Sequence, residues 1–154
     1  MATDTETLLR TLRTGLLALV AFGCAGLGLE LILLEHWEEP TQWPPLLLLT
    51  GGFLGAVALL VRPSRAAIRI FRTVMVFALL SGGAGAFYHY RANAALEREV
   101  APDRPAMEIA SAALRGGVPT LAPGAMVQLG LLGLLACVGH PGARRRPDSS
   151  PSSV

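Results

Sequence analysis

Four long apolar runs alternate with polar segments along the chain, at residues 15–34, 44–61, 73–90 and 118–138. Each run is about 20 residues long, the length at which a helix crosses the hydrocarbon core of a bilayer. The runs are continuous and do not alternate between apolar and polar positions, which favours helices over the strands of a barrel. The sequence therefore predicts an all-α, four-helix transmembrane bundle.

The composition agrees with a membrane location. Of the 154 residues, 52% are hydrophobic and 16% are charged, whereas soluble domains carry about 25% charged residues. We expect a single membrane domain at residues 1–141 and a disordered tail at 142–154, which is rich in arginine, serine and proline. The net charge of +2 is too small to indicate a nucleic-acid partner, so the lipid bilayer is the predicted surrounding.

The distribution of arginine predicts the orientation in the membrane. Arginines cluster before the first run, between the second and third runs, and after the fourth (Arg10, Arg13, Arg62, Arg65, Arg69, Arg72, Arg144, Arg145 and Arg146). The first loop has no basic residue and is flanked by Trp37 and Trp43, which suit a membrane interface. The positive-inside rule then predicts a multi-pass protein of the bacterial inner membrane with both termini in the cytoplasm.

The third loop, between the third and fourth runs, carries signals for a short helix at residues 106–115. Asp103 and Pro105 are suited to its start, and a pair of glycines follows its end. An apolar side made of Met107, Ala110, Ala113 and Leu114 predicts that this helix lies at the outer membrane surface. Two prolines, Pro119 and Pro123, are expected to bend or delay the start of the fourth helix.

Small residues predict where the helices pack. Helices in lipid associate through small residues that let their backbones approach. Pairs of glycines at helical spacing occur in the first three runs (Gly23 and Gly26, Gly51 and Gly55, Gly82 and Gly85). In the first run, the two glycines belong to a stripe that continues through Leu19, Glu30, Leu33 and Trp37. We expect this stripe to face a neighbouring helix.

Glu30 is the carboxylate inside an apolar run. An ionised carboxylate within a membrane costs about 2.5–3.5 kcal/mol or more, and the shared face with Gly23 and Gly26 predicts that Glu30 points towards another helix. Thr50, at a similar depth in the second run, is a candidate hydrogen-bond donor. Glu30 is then either a site for a proton, cation or ligand, or a structural group that fixes the helix register.

Further polar residues are predicted near the same outer surface. Glu35 and His36 follow the first run, and His89 and Arg91 lie at the end of the third. Together with Glu30 they form a candidate ligand or ion site. The alternatives are a solvated acidic loop, or a salt bridge from Arg91 to Glu30 or Glu35. Two imidazoles with carboxylates are able to bind a divalent metal, but no known metal motif is present.

Three stretches, residues 30–36, 89–93 and 121–133, resemble those of small bacterial membrane proteins with four predicted spans and no assigned activity. The resemblance extends over roughly residues 12–141 and implies the four-span fold alone.

The leading functional hypothesis is a non-enzymatic inner-membrane protein that binds or passes a proton, cation or small ligand at its outer end. The alternative is an accessory or scaffold subunit that packs on a larger membrane complex, with a membrane protein or a second copy as its partner. A membrane enzyme with an outward-facing metal is the weakest hypothesis. We predict no catalytic residue, no resident metal and no cofactor, since no nucleotide-binding loop, nucleophile motif or CxxC pair occurs.

Overall fold

A computed structural model describes residues 3–140, so the predicted tail at 142–154 lies outside the described residues. The described chain forms five α-helices and no strand: α1 (Asp4–Leu33), α2 (Trp43–Val61), α3 (Arg65–Val100), α4 (Ala106–Leu114) and α5 (Gly124–Ala136). A short 3-10 turn, Pro40–Gln42, precedes α2. The predicted all-α class is therefore confirmed.

Three of these helices are long and apolar enough to cross a membrane: α1, α2 with its preceding turn, and α3. The helix α2 begins one residue before the predicted run, whereas α1 and α3 continue beyond their runs into polar sequence. By contrast, α5 has 13 residues and is about 20 Å long. The predicted 21-residue fourth helix is wrong in length, because Pro119 and Pro123 delay the helix start to Gly124, as the prolines predict.

The four longer helices pack in a ring. In this ring α1 contacts α2 and α5, and α3 contacts the same two helices. Their inward faces meet around fully buried side chains, among them Val20 of α1, Ala56 of α2 and Phe71 and Met75 of α3. The helices α1 and α3 thus take diagonal positions in the ring.

Glycines allow the closest approaches between helices. A Cβ at Gly82 of α3 would lie 2.7 Å from the carbonyl oxygen of Pro123, and one at Gly130 of α5 would lie 2.8 Å from the carbonyl oxygen of Met75. Backbone atoms cannot move aside as a side chain can, so these two positions require glycine. Gly130 was not among the predicted packing residues.

The predicted packing glycines differ in their surroundings. Built Cβ atoms at Gly23, Gly55 and Gly85 would lie 2.5 Å, 2.7 Å and 3.0 Å from Leu129, Phe71 and Pro123, respectively. Gly51 has ordinary contact with Val74 at 3.5 Å, and Gly26 has no atom within 4 Å. The first-run stripe is therefore divided: Gly23 faces α5, whereas Gly26 faces away from the ring.

At one end of the ring, α1 holds the end of α5. The guanidinium of Arg13 donates from Nη2 to the carbonyl oxygens of Val138 at 3.2 Å and Gly139 at 2.9 Å. These carbonyls follow the end of α5 and have no partner within that helix. Burial lowers the pKa of His140 below its usual value, and the nearby positive charge of Arg13 lowers it further.

At the other end of α1, the chain turns through a Schellman motif. The backbone N–H of Glu35 donates to Ile32 and that of His36 donates to Leu31. This geometry places Glu35 at φ 54°, a left-handed conformation that usually favours glycine. The loop is closed by the indole of Trp43, which donates to the carbonyl of Trp37 at 3.0 Å.

The short helix predicted in the third loop is present as α4, which packs on α3. Its buried side chains are Ile109 and Ala113. Two residues of the predicted apolar side, Met107 and Leu114, are exposed. The side of α4 that packs on α3 is therefore the one with Ile109, and the position of α4 at the membrane surface stays a prediction.

Candidate functional site

The most polar buried site in the described chain lies around Asn93, near the C-terminal end of α3. Asn93 is the chain's single asparagine and is 2% exposed. Its amide Nδ2 donates to the carbonyl oxygens of Ala113 at 2.9 Å and Val118 at 2.7 Å. The backbone N–H of Val118 donates back to Oδ1 at 3.1 Å. One side chain thus holds the end of α4 and the segment after it against α3.

Thr120 completes the contacts of Asn93. Its hydroxyl donates to the carbonyl of Ala113 at 3.1 Å and accepts from Nδ2 of Asn93 at the same distance. Gly116 lies directly against the amide, since a Cβ at that position would come within 2.5 Å of Cγ of Asn93. The turn after α4 therefore needs both the side-chain amide of Asn93 and a glycine at position 116.

His89 lies one helical turn before Asn93 and bonds to the same segment. Its Nδ1 is 2.9 Å from the carbonyl oxygen of Pro119. A carbonyl only accepts, so Nδ1 carries the proton in this contact, and the neutral ring then has its lone pair on Nε2. The ring is half-buried, and the carbonyl of Pro119 sets its orientation.

We refer to His89, Asn93 and Thr120, with the backbone of residues 113, 118 and 119, as the linker network. The linker between α4 and α5 is not helical, so its backbone groups have no helical partners. Buried backbone polar groups need hydrogen bonds, and the linker network supplies them. Within residues 3–140, no buried side-chain nitrogen or oxygen lacks a partner. The network therefore positions the start of α5.

The predicted site residues of the first loop lie on the surface. Glu30 and Glu35 are exposed and His36 is half-buried. The expectation that Glu30 points towards a neighbouring helix is wrong within this chain, because the face of α1 that packs is the one with Val20 and Cys24. Thr50 does not donate a hydrogen bond to Glu30, because its hydroxyl donates to the carbonyl of Leu46 in its own helix.

Arg91 is also exposed, and its guanidinium lies 5.8 Å from the centre of the Phe87 ring. That distance is suited to a cation–π contact. Among the described residues, Arg104 forms an ion pair with Glu97 at 2.7 Å, whereas a salt bridge from Arg91 to Glu30 or Glu35 is not observed there. The pair at Glu97 closes the turn between α3 and α4.

The predicted cluster at the outer surface is divided between two helices: Glu30, Glu35 and His36 lie at the end of α1, and His89 and Arg91 lie in α3. Glu30 is on α1 and His89 is on α3, which are diagonal in the ring, and the ring of His89 is turned towards the linker. Over residues 3–140, no group of three or more histidine, cysteine, aspartate or glutamate side chains is placed to hold a metal ion.

Sequence reasoning identified His89 but missed Asn93. The available signal was the spacing: Asn93 follows His89 by four residues, which places both on one face of a helix. A single asparagine among alanines, beyond an apolar run, was the second signal. The bonded carbonyls lie 20–30 residues away in sequence, so no local pattern identified them.

No protein-family model, curated protein or solved structure matches the chain. The fold and the arrangement of its helices define the class: an all-α protein with three candidate membrane-spanning helices.

Proposed function

We propose that this protein is a small, non-enzymatic subunit of the bacterial inner membrane that assembles with another membrane chain. The observation that carries the proposal is the outward position of Glu30 beside the uncovered Gly26 on an apolar helix. A carboxylate facing hydrocarbon costs about 2.5–3.5 kcal/mol or more. A neighbouring chain that covers this face removes the carboxyl from lipid and uses the space at Gly26 for close packing.

The same proposal includes four crossings, with α5 and the linker before it as the fourth. Non-helical backbone at membrane depth is tolerated where its polar groups find partners within the protein, and the linker network supplies such partners to Val118 and Pro119. We place both termini in the cytoplasm because basic residues collect at one end of the ring. Arg13 reaches the end of α5 at that end, Arg62 follows the last residue of α2, and Arg69 lies near the start of α3.

Cysteine labelling tests this topology. We expect single cysteines at Thr41 and Ala101 to react with a membrane-impermeant maleimide in intact cells, because both loops face the periplasm. A cysteine at Ser150, outside the described residues, should react only after the cells are opened. Native Cys24 and Cys137 are buried, so the unmodified chain is the background control. Labelling of Ser150 from outside would contradict the arginine-based orientation.

Photo-cross-linking tests the assembly role. With p-benzoylphenylalanine in place of Phe22, one turn before Gly26 on the same exposed face, we expect a discrete adduct with a membrane protein in native membranes, because a covering chain lies within reach of that face. The matched control places the same group at Phe77, an exposed position on α3, where lipid contact should give no discrete protein adduct. Equal adduct yields at the two positions would refute a specific covering chain.

A second candidate function is the outer polar site for a proton, cation or small ligand, through Glu30, Glu35, His36, His89 and Arg91. The observation that favours it is the fixed ring of His89, whose Nε2 is left with a lone pair by the bond from Nδ1 to Pro119. A held imidazole accepts a proton or binds a ligand without first losing rotational freedom.

The substitution Glu30→Gln tests this second function, because it keeps the shape of the side chain but cannot ionise. If Glu30 carries a proton or cation, the variant should fold normally and lose pH-dependent ion uptake in proteoliposomes. Glu38→Gln, in the exposed first loop, should keep that uptake. Equal uptake by the native protein and Glu30→Gln would refute an ion site at Glu30.

A further inference from the structure

We infer that the outer face of α1 binds α1 of a second copy of this chain, as a parallel two-helix coiled coil. This inference rests on the proposed assembly role and names the partner. It starts from a stripe of exposed residues on α1 whose spacing alternates between four and three. We call it the outer stripe, and its members are Leu8, Leu12, Gly15, Leu19, Phe22, Gly26, Leu29 and Leu33.

This spacing is the heptad repeat of a left-handed coiled coil. The helix already packs in its own ring through the opposite face, which carries Leu17, Val20 and Cys24. The outer stripe makes no such contact: Phe22 is 77% exposed and Leu33 is 74% exposed. An apolar heptad repeat without a partner therefore runs the length of α1.

Exposure to lipid explains only part of the stripe. The helix α1 begins at Asp4, well before the apolar run that starts at residue 15. Residues 3–12 are all exposed, so this part of α1 extends about 13 Å beyond the ring. Leu8 and Leu12, which are 58% and 54% exposed, lie in this extension. Outside the hydrocarbon core, such leucines are stabilised by a protein partner.

Most charged residues near the extension lie away from the outer stripe. By the helical spacing of 100° per residue, Asp4 at the start of α1 lies on the side of the stripe, whereas Glu6, Arg10 and Arg13 lie on the opposite side. Glu6, Arg10 and Arg13 therefore remain in water when Leu8 and Leu12 are covered. The start of the helix is also stabilised, by a capping box between Thr3 and Glu6.

Within the membrane, the stripe has the small residues that helix pairs use. Gly15 and Gly26 have no atom within 4 Å of a built Cβ, so a second backbone is able to approach there. In a parallel coiled coil, Phe22 is a knob whose hole in the other helix includes position 26. That position is a glycine with open space around it, which leaves room for the aromatic ring.

The size of the stripe suits a second copy. Its leucines and Phe22 together expose on the order of 700 Å² on each copy, close to the roughly 800 Å² per partner of a stable dimer interface. Copies inserted in one orientation place their α1 helices parallel, which gives a symmetric contact between identical stripes. The sequence at 141–154 has no leucine, isoleucine, methionine or aromatic residue, so its composition is not that of a cover for this stripe.

Disulfide cross-linking in native membranes tests the inference. We expect Leu8→Cys and Leu12→Cys to give covalent dimers on oxidation, at least ten-fold more than Thr7→Cys and Thr14→Cys. The two control positions are exposed on the same helix but lie off the stripe. All four substitutions leave Arg10 and Arg13, on which the predicted orientation depends, unchanged. Equal dimer yields on and off the stripe would overturn the inference.

A second measurement uses the double variant Leu8→Glu/Leu12→Glu, labelled and reconstituted in liposomes for single-molecule photobleaching. We expect the apparent association constant of its dimer to fall at least ten-fold. The matched Thr7→Glu/Thr14→Glu variant should keep the association constant of the native protein. A native protein that is monomeric in liposomes would also overturn the inference. If the group at Phe22 still captures a different membrane protein, the assembly role stands and only the second copy is refuted.

Discussion

Asn93→Ala is expected to lower the free energy of unfolding by about 3 kcal/mol, because it removes a buried amide that donates and accepts the hydrogen bonds holding α4 and the linker. The carbonyl and N–H of Val118 lose their partner, while the carbonyl of Ala113 keeps the bonds from the Thr120 hydroxyl and the Gly116 N–H. The measurement is unfolding by sodium dodecyl sulfate in mixed micelles. Hydrogen exchange gives a local readout, since the amide of Val118 should exchange faster in the variant.

Two control variants make the Asn93 result specific. Glu99→Ala changes an exposed residue at the end of the same helix and should alter stability by less than about 0.5 kcal/mol. Thr120→Val removes one hydroxyl and should cost about 1 kcal/mol. If Asn93→Ala unfolds like the native protein, the linker network does not hold α4 and the linker in place.

Gly82→Val is expected to lower the free energy of unfolding by about 3 kcal/mol from overpacking. A Cβ there would lie 2.7 Å from the carbonyl oxygen of Pro123 and 2.9 Å from the backbone nitrogen of Val127. The start of α5 must therefore move away from α3. The free energy of unfolding in mixed micelles measures the effect.

The matched control is the next residue. Gly83 belongs to the same helix, but a Cβ there has no atom within 4 Å. Gly83→Val should be neutral or stabilising by a few tenths of a kcal/mol, because valine has a higher helix propensity than glycine. Similar losses for the two variants would show that helix propensity, and not the contact between α3 and α5, decides the outcome.

Two predicted site residues, His89 and Glu30, were selected by the same sequence signal but have different surroundings in the structure. His89 was selected from the polar end of an apolar run, and it does bond to another segment. Glu30 was selected for the same reason, yet it is exposed. The difference arises because α1 has apolar residues on both faces, so its spacing alone does not specify which face enters the ring. A periodic pattern gives relative positions on a helix and not the direction of its neighbours.

The sequence by itself determined the all-α class, the approximate positions of three long apolar helices and the short helix before the fourth run. These features depend on local properties: apolar length, caps and prolines act within a few residues. Tertiary structure alone decided which glycines meet backbone, which face of α1 packs, and how Asn93 and His89 reach the linker. Those contacts join segments far apart in sequence, and their geometry depends on how the helices rotate against one another when the ring packs.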